Sequence, residues 1–179
     1  MMTAAILVVV SLVTLGLLLH AARGRSAPVS KLEDLAGNTR PVDLEAFRNL
    51  VDPEEEEFLR ANLPVNEFCT IRRARLRAAV EYVRRAAHNA AILLRLGEAA
   101  RQHPDPGIAA AGQQLVDSAL RLRLYSLGAL ARLYTGIALP QLRLSPAGIL
   151  ESYQHLSGLA ARLAVMQNPA RAARVAAVL

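Results

Sequence analysis

PVNEFCTIRRARLRAAVEYVRRAAHNAAILLRLGEAARQH, residues 64–103, decides the fold. Placed at 100° per residue, Leu76, Ala79, Val80, Val83, Ala86, Ala87, Ala90, Leu93 and Leu94 fall on one stripe. Arg77, Glu81, Arg84, Arg85 and His88 take the opposite or flanking faces. That amphipathic spacing, sustained over about five turns, predicts a helix. Pro64 opens it and Pro104-Asp105-Pro106-Gly107 closes it. At 1.5 Å per residue it would be about 60 Å long. Alanines at positions 86, 87, 90 and 91 predict close approach of a neighbouring helix.

Downstream, a second long helix is expected from Ile108 to Leu139. It carries two apolar seams: Leu120, Leu124, Leu127, Ala131, Tyr134 and Ala138 on one, Leu115, Ala119, Leu122 and Leu133 on the other. Two seams predict neighbours on both sides. Arg121, Arg123 and Arg132 interrupt this leucine-rich stretch, so it is not a membrane span. Ser145-Pro146 starts a third helix, in which Ile149, Tyr153, Leu156, Ala160 and Leu163 repeat at a/d spacing. Pro169 allows a last short helix to Leu179.

Upstream, Asp43 caps a short helix to about Val51. Asp52-Pro53-Glu54-Glu55 is a strong start signal, with Asp as N-cap, Pro at N1 and an acid at N3 to complete a capping box. The run Glu54 to Glu57 suits a helix's first turn, where the macrodipole favours negative charge. Consecutive glutamates fan out at 100° steps and do not converge on one metal ion.

Composition agrees with a helical fold. Aromatic residues are 4% of 179 and Trp is absent, so the core is built from Leu, Ala, Val and Ile. Alternating strand-forming runs are missing after the first 15 residues. No internal repeat points to a solenoid. The expected fold is all-α, an antiparallel bundle of three main helices preceded by short acidic helices.

Thr3 to Ala22, TAAILVVVSLVTLGLLLHAA, holds 20 residues without formal charge. As a helix it matches the ~30 Å hydrocarbon core, and a helix is the conformation that satisfies its own backbone in lipid. A cleaved secretory signal is the rival reading. No Lys or Arg precedes the run, however, and Leu19-His20-Ala21 and His20-Ala21-Ala22 are poor cleavage triplets, which leaves Gly24-Arg25-Ser26 as the remaining candidate. The membrane-flanking charges Arg23, Arg25 and Lys31 all follow it. The positive-inside rule then puts the N-terminus outside and the large domain in the cytoplasm, as in a bacterial inner membrane. The expected division is an anchor over 1–25, a juxtamembrane linker over 26–42 and a helical-bundle domain over 43–179.

Charge is unevenly distributed. Residues 31–67 hold ten acids against four bases, net −6, while 68–179 hold 15 Arg against five acids, net +10. Twenty of the 21 basic residues are Arg, a bias that genome composition also produces. The cluster Arg72, Arg73, Arg75, Arg77, Arg84 and Arg85 has three candidate partners: the chain's own acids, an anionic membrane surface, or another protein. Arg73, Arg77, Arg84 and Arg85 are the candidate anionic-surface contacts. Arg72 instead falls on the apolar stripe and needs a partner there. Nucleic acid is disfavoured, because few aromatics stand near the cluster to stack on bases.

Chemistry finds little purchase in the sequence. Cys69 is the sole cysteine, which excludes an intrachain disulfide and a multi-cysteine metal site. It reads as a small apolar side chain. Glu151 and His155 form one i,i+4 pair with no second motif to complete a di-metal site. No P-loop, G-x-G-x-x-G, G-x-S-x-G or H-E-x-x-H occurs. No catalytic, cofactor-binding or metal-binding residue is assigned. The expectation is a membrane-anchored helical interaction or scaffold protein without catalytic activity, meeting the bilayer through 3–22 and a protein partner or a second copy through its bundle. Its alternatives are a peripheral module on anionic membrane and, more distantly, an enzyme.

Overall fold

The computed structural model describes residues 38–140 and 149–167. Every regular element among them is a helix, and the helices pack together. They are α1 (Leu44–Leu50), α2 (Pro53–Asn62), α3 (Val65–Ala100), α4 (Pro106–Ala138) and α5 (Ile149–Gln167).

Helix starts follow local chemistry. Asp43 accepts a hydrogen bond from the Ala46 N–H at 2.9 Å, and Asp52 accepts one from the Glu54 N–H at 3.0 Å with Pro53 at N1. The expected capping box at Asp52 does not close through Glu55. Its carboxylate turns to Arg75 at 2.8 Å, since a charge-assisted bond outweighs one to a neutral N–H. Asp105 caps α4, accepting from Gly107 at 2.7 Å and Ile108 at 3.2 Å. With Pro106 at N1, this repeats the Asp52-Pro53 device and starts α4 two residues before the expected Ile108.

Helices α3 and α4 form an antiparallel pair. Leu76 meets Gly136 at one end and Gly97 meets Gly112 at the other. Two glycines that the sequence reading did not single out also bring the helices close, and Ala86, Ala90 and Ala91 are buried as well. A Cβ on Gly97 would lie 2.9 Å from the Gly112 carbonyl oxygen, and one on Gly112 would lie 2.6 Å from the Arg101 nitrogen. Absent side chains let two backbones touch here.

Helix α5 packs against both. Tyr153, Leu156, Ala160 and Leu163 are buried, as the a/d spacing predicts. Tyr153 bonds to Asn89 of α3, while Met166 approaches Gly107 at the start of α4, so α5 runs antiparallel to α4. Helix α1 lies on α3 through Phe47 and Tyr82, ring centroids 6.0 Å apart.

The two-seam expectation for α4 needs correction. Leu115, Ala119, Leu122 and Leu133 are buried, but Leu120, Leu124, Ala131, Tyr134 and Ala138 are exposed. Helices α3 and α5 both sit on the first arc, and no described residue buries the second. Periodicity locates an apolar seam without saying what covers it.

No described helix is long and apolar enough to cross a membrane. The apolar stretch 3–22 with Arg23, Arg25 and Lys31, the Ser145-Pro146 start and the last short helix lie outside the described residues.

Candidate functional site: a basic face beside an uncovered helix side

The first turns of α3 carry the arginine cluster, and α2 folds back over them. Arg72 is 3% exposed, with Nε 3.1 Å from the Glu56 carboxylate and Nη1 donating to the Pro140 carbonyl. Glu56 also reaches Arg60, at 3.4 Å, whose guanidinium sits 4.8 Å over the Phe68 ring. Arg75 places both terminal nitrogens on Glu55 at 2.8 Å and donates as well to the Asn49 carbonyl at 2.7 Å. The hydrogen bonds and charge of Arg75 hold the Glu55 carboxyl below its ordinary value. The acidic segment thus meets the basic helix at Arg72 and Arg75.

The four candidate surface arginines are disposed differently. Arg73 donates to the Ile137 carbonyl at 3.3 Å, and Arg84 donates to the Tyr134 hydroxyl at 2.6 Å. Both tie α3 to the C-terminal half of α4. Arg85 turns to Glu81 at 3.4 Å, one helical turn back, and Arg77 is exposed. Arg77 and Arg84 therefore share a solvent-facing strip that continues into the exposed seam of α4 at Tyr134. Deeper between the helices, burial and then the charge of Arg95 pull the Arg123 guanidinium below its ordinary value.

An open cavity of about 650 Å³ lies where α3 begins and α4 ends, lined by Val65, Asn66, Cys69, Thr70, Arg73, Leu139 and Pro140. Cys69 is half-buried at its wall, not enclosed in the core. His88 stands 19 positions further along the same helix, about 28 Å away at 1.5 Å per residue. His155 lies two residues from Tyr153, whose hydroxyl bonds Asn89, 20 positions along α3 from Cys69. The fold does not bring either imidazole to the thiol. Glu151 and His155 are both exposed, and no group of three metal-ligating side chains converges among the described residues.

Sequence reasoning passed over Asn89. It is fully buried, accepts from the Arg40 N–H at 2.9 Å, and donates to the Arg40 carbonyl and the Tyr153 hydroxyl, each at 2.7 Å. Its signal was present as one amide set among alanines, where a polar side chain must find partners. Neighbouring His88, expected on a flanking face, lies 3.0 Å from the Asn38 carbonyl oxygen. Burial pushes the Tyr153 hydroxyl's pKa up, against the opposing effect of the Asn89 bond.

No family model matches the chain, and no match is found among curated proteins or solved structures.

Proposed function

We propose that this chain is a single-pass membrane-anchored helical interaction module: a transmembrane helix over residues 3–22, a juxtamembrane linker, and an antiparallel bundle of three main helices with two short acidic ones before it. Its role is to hold a binding surface at the membrane, without catalysis of its own. What favours this reading most is the uncovered side of α4, where Leu120, Leu124 and Tyr134 are between 45% and 59% exposed. Large side chains gathered on one helix side mark an interaction surface better than the same residues scattered singly.

Two features support the anchor. The 20-residue uncharged run has the length of a membrane span, and the nearest positive charges, Arg23, Arg25 and Lys31, all follow it. That asymmetry assigns the bundle to the cytoplasmic side. The absence of any known catalytic motif and the distance between Cys69 and His88 support a binding role.

Reporter fusions after Leu179 test the sidedness. A phosphatase that works only outside the membrane should be inactive there, and a cytoplasmic fluorescent protein should be bright. The reverse pattern would overturn the orientation.

A further inference from the structure

We propose that the uncovered side of α4, with the arginines beside it, rests on the anionic headgroup surface of the membrane that holds the chain. The inference names the occupant of the interaction surface and rests on the reading of 3–22 as an anchor.

Geometry supplies the first argument. Leu120 and Tyr134 are 14 positions apart, about 21 Å along the helix axis, with Leu124 between them. None of the three contributes to the buried core. Gly128, about 40° round the helix from Leu124, has nothing within 4 Å of where a Cβ would sit, so α4 is open there as well. Leucines dipping to the acyl boundary with tyrosines at headgroup level are the pattern of a helix lying in the interface.

Charge supplies the second. From position 118 to position 150 the chain has four arginines and no acid. Arg121 and Arg132 are exposed on α4, and the Arg84–Tyr134 hydrogen bond joins the basic strip of α3 to the seam. Glu55 and Glu56 are held by Arg75 and Arg72, and Glu81 by Arg85. Asp117, one turn before Arg121, keeps its charge while accepting from the neutral Gln113 amide at 2.9 Å, and it stands against the exposed Arg121 and Arg132. A second copy meeting this side would bring together two faces that each carry more arginines than acids. Anionic phosphates complement them.

Reach supplies the third. Only the 15 residues 23–37 separate the apolar run from Asn38, about 50 Å when fully extended. The chain is seated on α3 from that point, through His88 and Asn89. Helix α4 is itself about 50 Å long, so its outward side stays within reach of the bilayer.

The chain has no Trp, which permits single-tryptophan reporters on the full-length protein. Leu124→Trp reports on the seam, and Gln154→Trp on an exposed position of α5. Each is reconstituted into phosphatidylcholine vesicles with and without phosphatidylglycerol, using acyl chains brominated near the headgroup. Quenching at position 124 should exceed that at 154 in anionic vesicles, and the difference should vanish in zwitterionic vesicles or high salt. Arg121→Gln and Arg132→Gln should each reduce the docked population about fivefold. Equal quenching at the two positions in anionic vesicles would overturn the proposal. So would concentration-dependent shielding of position 124 from both bromine and aqueous iodide, which would mean that a second copy covers it. The anchor is scored separately, by retention after an alkaline wash. Loss in the wash defeats the anchor reading, while quenching recorded before the wash decides the docking.

Discussion

Asn89 holds both backbone groups of Arg40: its Oδ1 accepts from the Arg40 N–H at 2.9 Å and its Nδ2 donates to the Arg40 carbonyl at 2.7 Å. The remaining amide hydrogen goes to the Tyr153 hydroxyl, also at 2.7 Å. One fully buried side chain thereby joins the segment preceding α1, the middle of α3 and the first turns of α5. A buried polar group is costly unless its partners are complete, and these come from three separated stretches of chain. The residues just before α1 are consequently part of the fold.

Asn89→Leu should cost about 2–4 kcal/mol, because it removes three hydrogen bonds at a fully buried site. Denaturant unfolding of the full chain in detergent measures the loss. Limited proteolysis should also show earlier cleavage around Arg40. A variant as stable as the parent would mean that the three stretches do not meet at this amide.

Much of the helical plan was legible because local chemistry determines it. Asp43 and Asp52 mark helix starts through capping, and the stripe from Leu76 to Leu93 records the buried side of α3. What escaped depends on tertiary geometry. Leu120 and Leu115 look alike in a periodic sequence, yet only Leu115 has neighbours over it. Gly97 and Gly112 read as weak points of helices until their backbones are seen to touch. The arginines were legible as a cluster, but sequence alone did not separate Arg75, forked onto Glu55, from exposed Arg77.

The glycines give a prediction of opposite signs. Gly97→Ala introduces a methyl 2.9 Å from a backbone oxygen and should destabilise by about 1–3 kcal/mol through forced separation of α3 and α4. Gly128→Ala meets open space and should stabilise by about 0.5–1 kcal/mol through helix propensity. Thermal unfolding of the two variants checks both signs at once. A harmless Gly97→Ala would show that the helices do not approach so closely.

Salt should distinguish the two ion pairs of α2. Glu55→Lys breaks an exposed pair with Arg75, worth about 0.2–1 kcal/mol, and turns attraction into repulsion. Its effect should largely disappear at about 1 M salt, where the Debye length is about 3 Å. Glu56→Lys sets a cation beside buried Arg72, so salt should restore it only in part. Thermal melts across a salt series give the comparison. Equal and complete rescue of both would contradict the burial of Arg72.

The Glu55 pair also has a pH signature. Arg75 lowers the folded-state pKa of this carboxyl below its ordinary 4.5, so the associated stability is fully present above that value. It is lost as pH falls through the depressed folded value. Arg75→Gln should therefore narrow the stability gap between neutral and acid conditions, read from unfolding midpoints across pH. An unchanged gap would remove Arg75 as the cause.

The proposed anchor is the run of 20 uncharged residues from Thr3 to Ala22. Alkaline carbonate extraction of membranes from cells expressing the full chain tests it most directly, beside a variant carrying Val9→Arg and Leu12→Arg. The parent should stay in the membrane pellet, and the variant, with a cost of about 2.5–3.5 kcal/mol for each mid-span arginine, should move to the supernatant. Parent protein released by carbonate, or parent and variant partitioning alike, would contradict it.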